Sequence, residues 1–167
     1  REVSLSLPTK NSDVDSFLKK TPKNFVVLNI GARLIEKQLT PDEYEEVIHT
    51  IQESGFVPIL SYGPTEYSLA EKVASNTDSQ LAPPTNLLAL GYLMSKANAV
   101  VTCDTGPMHL AVAMQTPTFG IFVSTCPKRF GYSHPPHHAL DAQAGWRSEF
   151  QDELRQWLRV QAENDAS

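Results

Sequence analysis

The sequence predicts an α/β domain with a Rossmann-like parallel sheet and helices on both faces, and three observations predict it. Short apolar runs rich in β-branched residues recur at Phe25–Asn29, Phe56–Leu60, Ala99–Thr102 and Thr116–Val123. Amphipathic segments of helical period lie between them. Each run also ends in turn chemistry, sharpest at Asp104-Thr105-Gly106-Pro107. Strands alternating with helices at this interval build βαβ units, and those make a parallel sheet.

Taken in order, residues 10–19 place Val14, Phe17 and Leu18 among Lys and Asp, the pattern of a short amphipathic helix. Thr21-Pro22-Lys23-Asn24 breaks it, and Phe25–Asn29 is the first strand. Residues 33–39 have no period and read as a loop. Thr40-Pro41-Asp42-Glu43 is a helix start, with Thr40 as N-cap, Pro41 at the first position and Glu43 closing a capping box. That helix puts Tyr44, Val47, Ile48 and Ile51 on one face and ends near Ser54 at Gly55. Pro58 marks the second strand as an edge or as starting late. After the turn Tyr62–Glu66, residues 66–74 read as helix, and the polar stretch Ser75–Pro84 has room for one short strand around Leu81. Asn86 caps a helix over Leu87–Lys96 with Leu87, Leu90, Met94 and Ala97 on one face. Beyond Asp104–Pro107, His109, Leu110, Ala113 and Met114 follow at helical spacing. Residues 128–145, rich in Pro, His and Gly, read as loop. A final helix over 147–161 carries Phe150, Leu154, Trp157 and Leu158.

The 167 residues suit one domain with a real core. A hydrophobic fraction of 41% and a charged fraction of 20% are those of a globular protein. No stretch reaches the ~20 apolar residues of a membrane span, and Arg1-Glu-Val-Ser has no apolar signal core. A net charge of −5 without a basic stripe argues against a nucleic-acid coat. Cys103 and Cys126 make neither a disulfide scaffold nor a metal knuckle, which points to a reducing cytoplasm, and Cys103 reads as a small core residue. The extended opening Arg1–Pro8, without an initial Met, reads as part of a longer protein.

In a parallel sheet four turns meet at the carboxyl edge: Gly31–Lys37, Gly63–Glu66, Asp104–His109 and Ser124–Pro127. A strand entering a helix through Asp104-Thr105-Gly106-Pro107 leaves unpaired backbone N–H groups where the macrodipole favours an anion. The same tetrapeptide also serves simple capping. With Lys37 as a flexible cation and Glu66 as an acceptor for ribose hydroxyls, the set suits a nucleotide diphosphate. His109 either stabilises phosphate or packs under the helix start. His134, His137 and His138 lack matching Cys, Asp or Glu spacing for a metal and read as loop. Neither Gly-x-x-x-x-Gly-Lys-Ser/Thr nor Gly-x-Gly-x-x-Gly nor Gly-x-Ser-x-Gly occurs.

The order Asn29-x-Gly-Ala-Arg33, Lys37, Gly63-Pro64, Ala97-x-Ala-Val-Val-Thr-x-Asp-Thr-Gly-Pro-Met-His-Leu-Ala111 and Thr116-Pro117 resembles the C-terminal half of the family 9 glycosyltransferases. These are the ADP-heptose:lipopolysaccharide heptosyltransferases and their relatives, and the resemblance covers residues 24–132. It implies an inverting, metal-independent GT-B enzyme of two Rossmann-like domains, with the nucleotide sugar held by the C-terminal one and no cofactor. It assigns Lys37 to the donor phosphates, where it stabilises the leaving diphosphate, and Glu66 to ribose. Asp104, Thr105, Gly106 and His109 go to the sugar and diphosphate, and Gly31, Ala32, Thr85, Pro107 and Thr125 complete the binding candidates. Two departures stand out. Leu39-Thr40 occupies the place of a family Trp-Pro, and in Val123-Ser-Thr-Cys-Pro127 only Thr125 and Pro127 match the family loop that shapes the donor pocket.

The expected protein is therefore the nucleotide-sugar-binding domain of a heptosyltransferase-type enzyme. Residues 1–20 form a lead-in, 21–145 the core, 146–161 a C-terminal helix and 162–167 a tail, with the N-terminal acceptor domain and its catalytic base outside the chain. The implied partners are a nucleotide sugar, with ADP-heptose first, and a lipid-linked or saccharide acceptor, but no nucleic acid. The implied location is the cytoplasm, with peripheral association at the inner membrane face left open. A non-catalytic nucleotide-binding or interaction module is the alternative, and a nucleotide-sugar epimerase of the same architecture a third reading.

Overall fold

The computed structural model describes residues 12–30, 39–103, 106–122, 136–142, 147 and 149–166. In chain order these form α1 (Ser12–Leu18), β1 (Phe25–Ile30), α2 (Pro41–Glu53), β2 (Val57–Tyr62), a 3₁₀ turn (Pro64–Glu66) and α3 (Tyr67–Thr77). Then come β3 (Gln80–Leu81), α4 (Leu87–Lys96), β4 (Ala99–Cys103), α5 (Gly106–Ala113), β5 (Thr118–Phe122), β6 (His138–Asp141) and α6 (Glu149–Ala166). Among the described residues the strands form one six-stranded sheet, all parallel, in the order β3-β2-β1-β4-β5-β6.

Alternation along the strands divides the core in two. Val26, Leu28, Leu60, Val101, Phe119 and Ile121 face α2, α3 and α6, where Tyr44, Val47, Ile48, Val73, Leu154 and Trp157 cover them. Val27, Ile59 and Val100 face α1, α4 and α5 and pack with Val14, Leu93, Met94 and Ala111. Both faces of β1 and β4 are thus covered, which is why these runs are apolar throughout. Val14 is fully buried, so the second half of the expected lead-in is part of the domain.

Local chemistry sets the helix ends. At α2 the Glu43 N–H donates to the Thr40 hydroxyl at 3.2 Å while the Thr40 N–H donates to Glu43 Oε1 at 2.8 Å, the two halves of a capping box. Its other end closes in a Schellman motif, with Gly55 N–H on Gln52 O and Phe56 N–H on Ile51 O, and the turn requires the φ of +90° that Gly55 supplies. Asn86 caps α4 through Ala89 N–H at 2.8 Å. Pro58 sits where β2 is locally an edge: β3 begins pairing only at Ile59, and Val57 N–H, one residue before, is the group that points to β1.

Four expectations are corrected. On α4, Leu87 and Leu88 are 65% and 63% exposed, and the buried side is Ala89, Gly91, Tyr92, Leu93 and Met94. The side is chosen by close approach to α5, since a Cβ on Gly91 would lie 3.2 Å from Met114 Cε and 3.3 Å from Leu110 Cδ1. Within the expected loop 128–145, His138–Asp141 is a strand, added to the sheet by pairing with Phe119–Phe122. The helix α3 runs on to Thr77, past the expected 74. The last helix starts at Glu149 and continues to Ala166, so most of the expected tail 162–167 is helical.

That last helix packs on this domain. Trp157 is 8% exposed, its ring centroid lies 5.5 Å from that of Phe119, and its Nε1–H donates to Pro136 O at 3.1 Å. On the neighbouring strand His138 stacks on Phe119 at 5.0 Å and 13° and pairs with Glu153 of α6. Arg155 reaches back to Glu53 of α2 at 2.9 Å.

Candidate functional site

The strand order reverses direction between β1 and β4. From β1 the chain moves outward through β2 and β3; from β4 it moves the other way through β5 and β6. The helices following β1 and β4 therefore lie on opposite faces, and the carboxyl ends of these two strands flank a crevice. Ile30 and Cys103 end them, and the chain enters residues 31–38 and 104–105.

Gly31, Ala32, Lys37, Asp104, Thr105 and Thr125 lie outside the described residues. The other expected site residues all fall on the carboxyl edge. Gly106, Pro107 and His109 form the first turn of α5, directly after β4. His109 is exposed, which removes the expectation that it packs under the helix start. Below it Met108 is 1% exposed and presses on β5 so closely that a Cβ on Gly120 would lie 2.7 Å from its Sδ. Helix α5 thus owes its seat on the sheet to a missing side chain. Thr85 is half-buried between β3 and α4. Its segment is tied to β2 by the Tyr62 hydroxyl, which donates to Ala82 O at 2.9 Å. Burial raises the Tyr62 phenol above its ordinary pKa and keeps it a donor.

Glu66 ends the 3₁₀ turn after β2. Its N–H donates to Gly63 O at 3.1 Å, and its carboxylate accepts from the Thr65 hydroxyl. The carboxylate folds back over Gly63, where an added Cβ would lie 2.7 Å from Glu66 Oε1.

A buried polar pair lies beneath these turns. Asn29 and Ser61 are register partners on β1 and β2, 7% and 1% exposed, and Ser61 Oγ donates to Asn29 Oδ1 at 3.0 Å. Thr102 of β4, also fully buried, donates to Cys103 O at 3.2 Å. All three lie two positions beyond Val27, Ile59 and Val100, and so share the face of the sheet that packs on α4 and α5. Sequence reasoning passed over Ser61; the available signal was a polar residue interrupting an apolar strand two positions before a glycine. Cys103 is 1% exposed with Tyr44 Oη 4.0 Å from its Sγ, a core position.

His138 lies in β6 with Glu153 as its partner, and among the described residues no three His, Cys, Asp or Glu side chains are placed to hold a metal ion. Nor is any described helix long and apolar enough to cross a membrane. A cavity of about 300 Å³ between Leu18, Pro22, Phe25 and Lys96 opens at the opposite, amino edge of the sheet.

Several known proteins resemble this chain. Lipopolysaccharide heptosyltransferase 3 of Escherichia coli K12 is 31% identical over 108 residues, 61% of this chain and 31% of that protein. The lipopolysaccharide core heptosyltransferase OpsX of Haemophilus influenzae is 28% identical over 132 residues, 76% of this chain and 37% of that protein. Among solved structures, E. coli heptosyltransferase WaaC with ADP-2-deoxy-2-fluoro heptose has a TM-score of 0.69 at 21% identity, covering 92% of this chain and 50% of that one. The chain thus spans about a third of the length of these curated relatives and half of that structure. The sequence profile of glycosyltransferase family 9 (heptosyltransferase) matches residues 1–156. A parallel sheet reversing at β1 and β4, with turns at its carboxyl edge and a match over nearly the whole length, makes this chain a member of glycosyltransferase family 9.

Proposed function

We propose that the chain is the nucleotide-sugar-binding domain of an inverting glycosyltransferase that transfers a heptose from an ADP-linked donor to a lipopolysaccharide-core acceptor. The observation that supports it best is the strand reversal at β1 and β4, with α5 beginning at Gly106, three residues beyond Cys103. A diphosphate at that helix start meets backbone N–H groups and the positive end of the dipole. Two relatives are named for heptosyl transfer to lipopolysaccharide or its core, and WaaC is solved with an ADP-heptose analogue. Lys37, Asp104, Thr105, Gly106 and His109 hold the sugar diphosphate, with Gly31, Ala32, Pro107 and Thr125 around it. Glu66 and Thr85 border the nucleoside.

In the proposed reaction an acceptor hydroxyl attacks the anomeric carbon from the face opposite the leaving group. The bond to the diphosphate oxygen breaks, and a base on a segment outside this chain takes the hydroxyl proton. Charge grows on the departing diphosphate, where Lys37 and the N–H groups at the start of α5 stabilise it in place of a metal ion. The acceptor meets the enzyme at the cytoplasmic face of the membrane, and no described helix is long and apolar enough to cross that membrane.

Calorimetric titration with ADP, ADP-heptose, UDP and GDP tests the binding half. Selective binding of the adenine diphosphates, weakened in Lys37→Ala, is expected, and a chelator leaves both binding and turnover unchanged. In the complete enzyme Lys37→Ala lowers turnover by about 100-fold while the melting temperature holds. Unchanged turnover in that variant overturns the assignment.

A further inference from the structure

We propose that Gly63 and Thr65 are positioning residues that set the orientation of the Glu66 carboxylate, and through it the selection of a nucleotide with free vicinal ribose hydroxyls. The proposal rests on the nucleotide-sugar reading above and concerns the nucleoside end of the ligand, at the carboxyl end of β2.

Gly63 has φ −88° and ψ 173°, extended backbone that any residue adopts, so its lack of a side chain has no conformational cause. The cause is the carboxylate folded over it. A Cβ at Gly63 would stand 2.7 Å from Glu66 Oε1, 3.6 Å from Cδ and 3.9 Å from Oε2, and the carboxylate would have to give way. One hydrogen bond holds the backbone of the turn and another orients the carboxylate. The Glu66 N–H is tied to Gly63 O at 3.1 Å by the 3₁₀ turn, and the Thr65 hydroxyl donates to Oε2. Pro64 presets the backbone of the turn's first residue, and behind the turn the Tyr62 and Tyr67 rings meet edge to face at 5.5 Å.

An ionised carboxylate only accepts hydrogen bonds, and its two oxygens offer about four sites, of which Thr65 fills one. The free sites match two adjacent hydroxyl donors, the chemistry of a ribose 2′,3′-diol. An acid at the carboxyl end of the strand next to the reversal is also where a parallel nucleotide-binding sheet takes ribose. A carboxylate oriented by the Thr65 hydroxyl and seated over Gly63 loses less freedom on binding the diol than an unrestrained one.

The test compares ADP with 2′,3′-dideoxy-ADP on the wild-type chain, Gly63→Ala and Thr65→Val, with Glu66→Ala as the floor and melting midpoints as the folding control. The wild type is expected to prefer ADP by about 10-fold or more. Gly63→Ala and Thr65→Val each lower that ratio by about threefold or more, weakening ADP and leaving the dideoxy compound unchanged. A merely structural role moves both ligands together and overturns the proposal. So does a wild-type ratio that both variants retain, while leaving the nucleotide reading intact. Wild type without ADP binding overturns both. Thr65→Val, which keeps the side chain's shape, decides the matter if Gly63→Ala fails to fold.

Discussion

Replacing Ser61 by alanine should destabilise the domain although it removes one oxygen atom. Ser61 is 1% exposed and Asn29 7%, so no water reaches the 3.0 Å bond between Ser61 Oγ and Asn29 Oδ1 to replace it. Ser61→Ala removes the donor and leaves the Asn29 carbonyl oxygen buried, a loss of about 1–3 kcal/mol. For a domain of this size each kcal/mol moves the melting midpoint by about 2–4 °C, so a fall of roughly 2–12 °C is expected. Urea denaturation followed by circular dichroism should show a lower midpoint at unchanged slope, because the area buried on folding hardly changes. The double variant Asn29→Leu/Ser61→Ala, which removes both polar partners, should recover part of the loss. A Ser61→Ala midpoint equal to the wild type, or a double variant worse than the sum of the singles, refutes the reasoning.

Gly120→Val places carbon against Met108 Sδ and Phe122, both fully buried. A loss of about 1–3 kcal/mol in urea denaturation is expected, together with weaker ADP binding because α5 is lifted from its seat. Trp157→Ala removes the contact with Phe119 and the 3.1 Å bond to Pro136 O, and should cost about 3–5 kcal/mol and open α6 to limited proteolysis. Thr40→Ala removes one half of the capping box and should cost about 1 kcal/mol in the same urea assay. The phenol of Tyr92 donates to Asp15 at 2.6 Å, and that bond, then burial and the Asp15 charge, raise its pKa above the ordinary 10.0. A group raised on folding stabilises below its unfolded pKa and loses that effect as pH climbs through the folded one. Hydrogen exchange in α1 should therefore accelerate above about pH 10 in the wild type, and Tyr92→Phe should abolish that pH step.

What could be read from the sequence was what neighbouring residues decide among themselves. Thr40, Pro41, Glu43 and Gly55 announce α2 because caps and the left-handed turn are local chemistry. The strands β1, β4 and β5 stand out because burial on both faces makes them apolar throughout. The strand β6 does not: His138-Ala-Leu-Asp141 has one fully buried residue and is a strand only because β5 lies beside it. On α4 nearly every position is apolar, so periodicity cannot name a face, and Gly91 decides it by letting α5 approach. In the site, the Gly63–Glu66 turn was legible as a turn, and Glu66 as its carboxylate. The seat that Gly63 provides was not, because a glycine in extended backbone looks dispensable until the side chain above it is seen. The Asn29–Ser61 pair joins residues 32 apart and requires the strand register.

The reversal at β1 and β4 also separates what holds the site from what distinguishes its ligands. The two strands beneath the crevice are the innermost of the sheet, flanked by neighbours on either side and covered by helices above and below. They belong to the part of the molecule that opens last, and their amides should exchange only through global unfolding. Ile30 and Cys103 are the last residues of these strands, and substitutions in surface connections generally cost less than substitutions in a core. If the proposed ligand is bound at this edge, its identity can change through a few connecting residues while the central strands stay untouched. Of the two departures from the family pattern, Val123–Pro127 follows β5 in the sequence, whereas Leu39-Thr40 belongs to the fold itself: Leu39 is 3% exposed in the core and Thr40 caps α2.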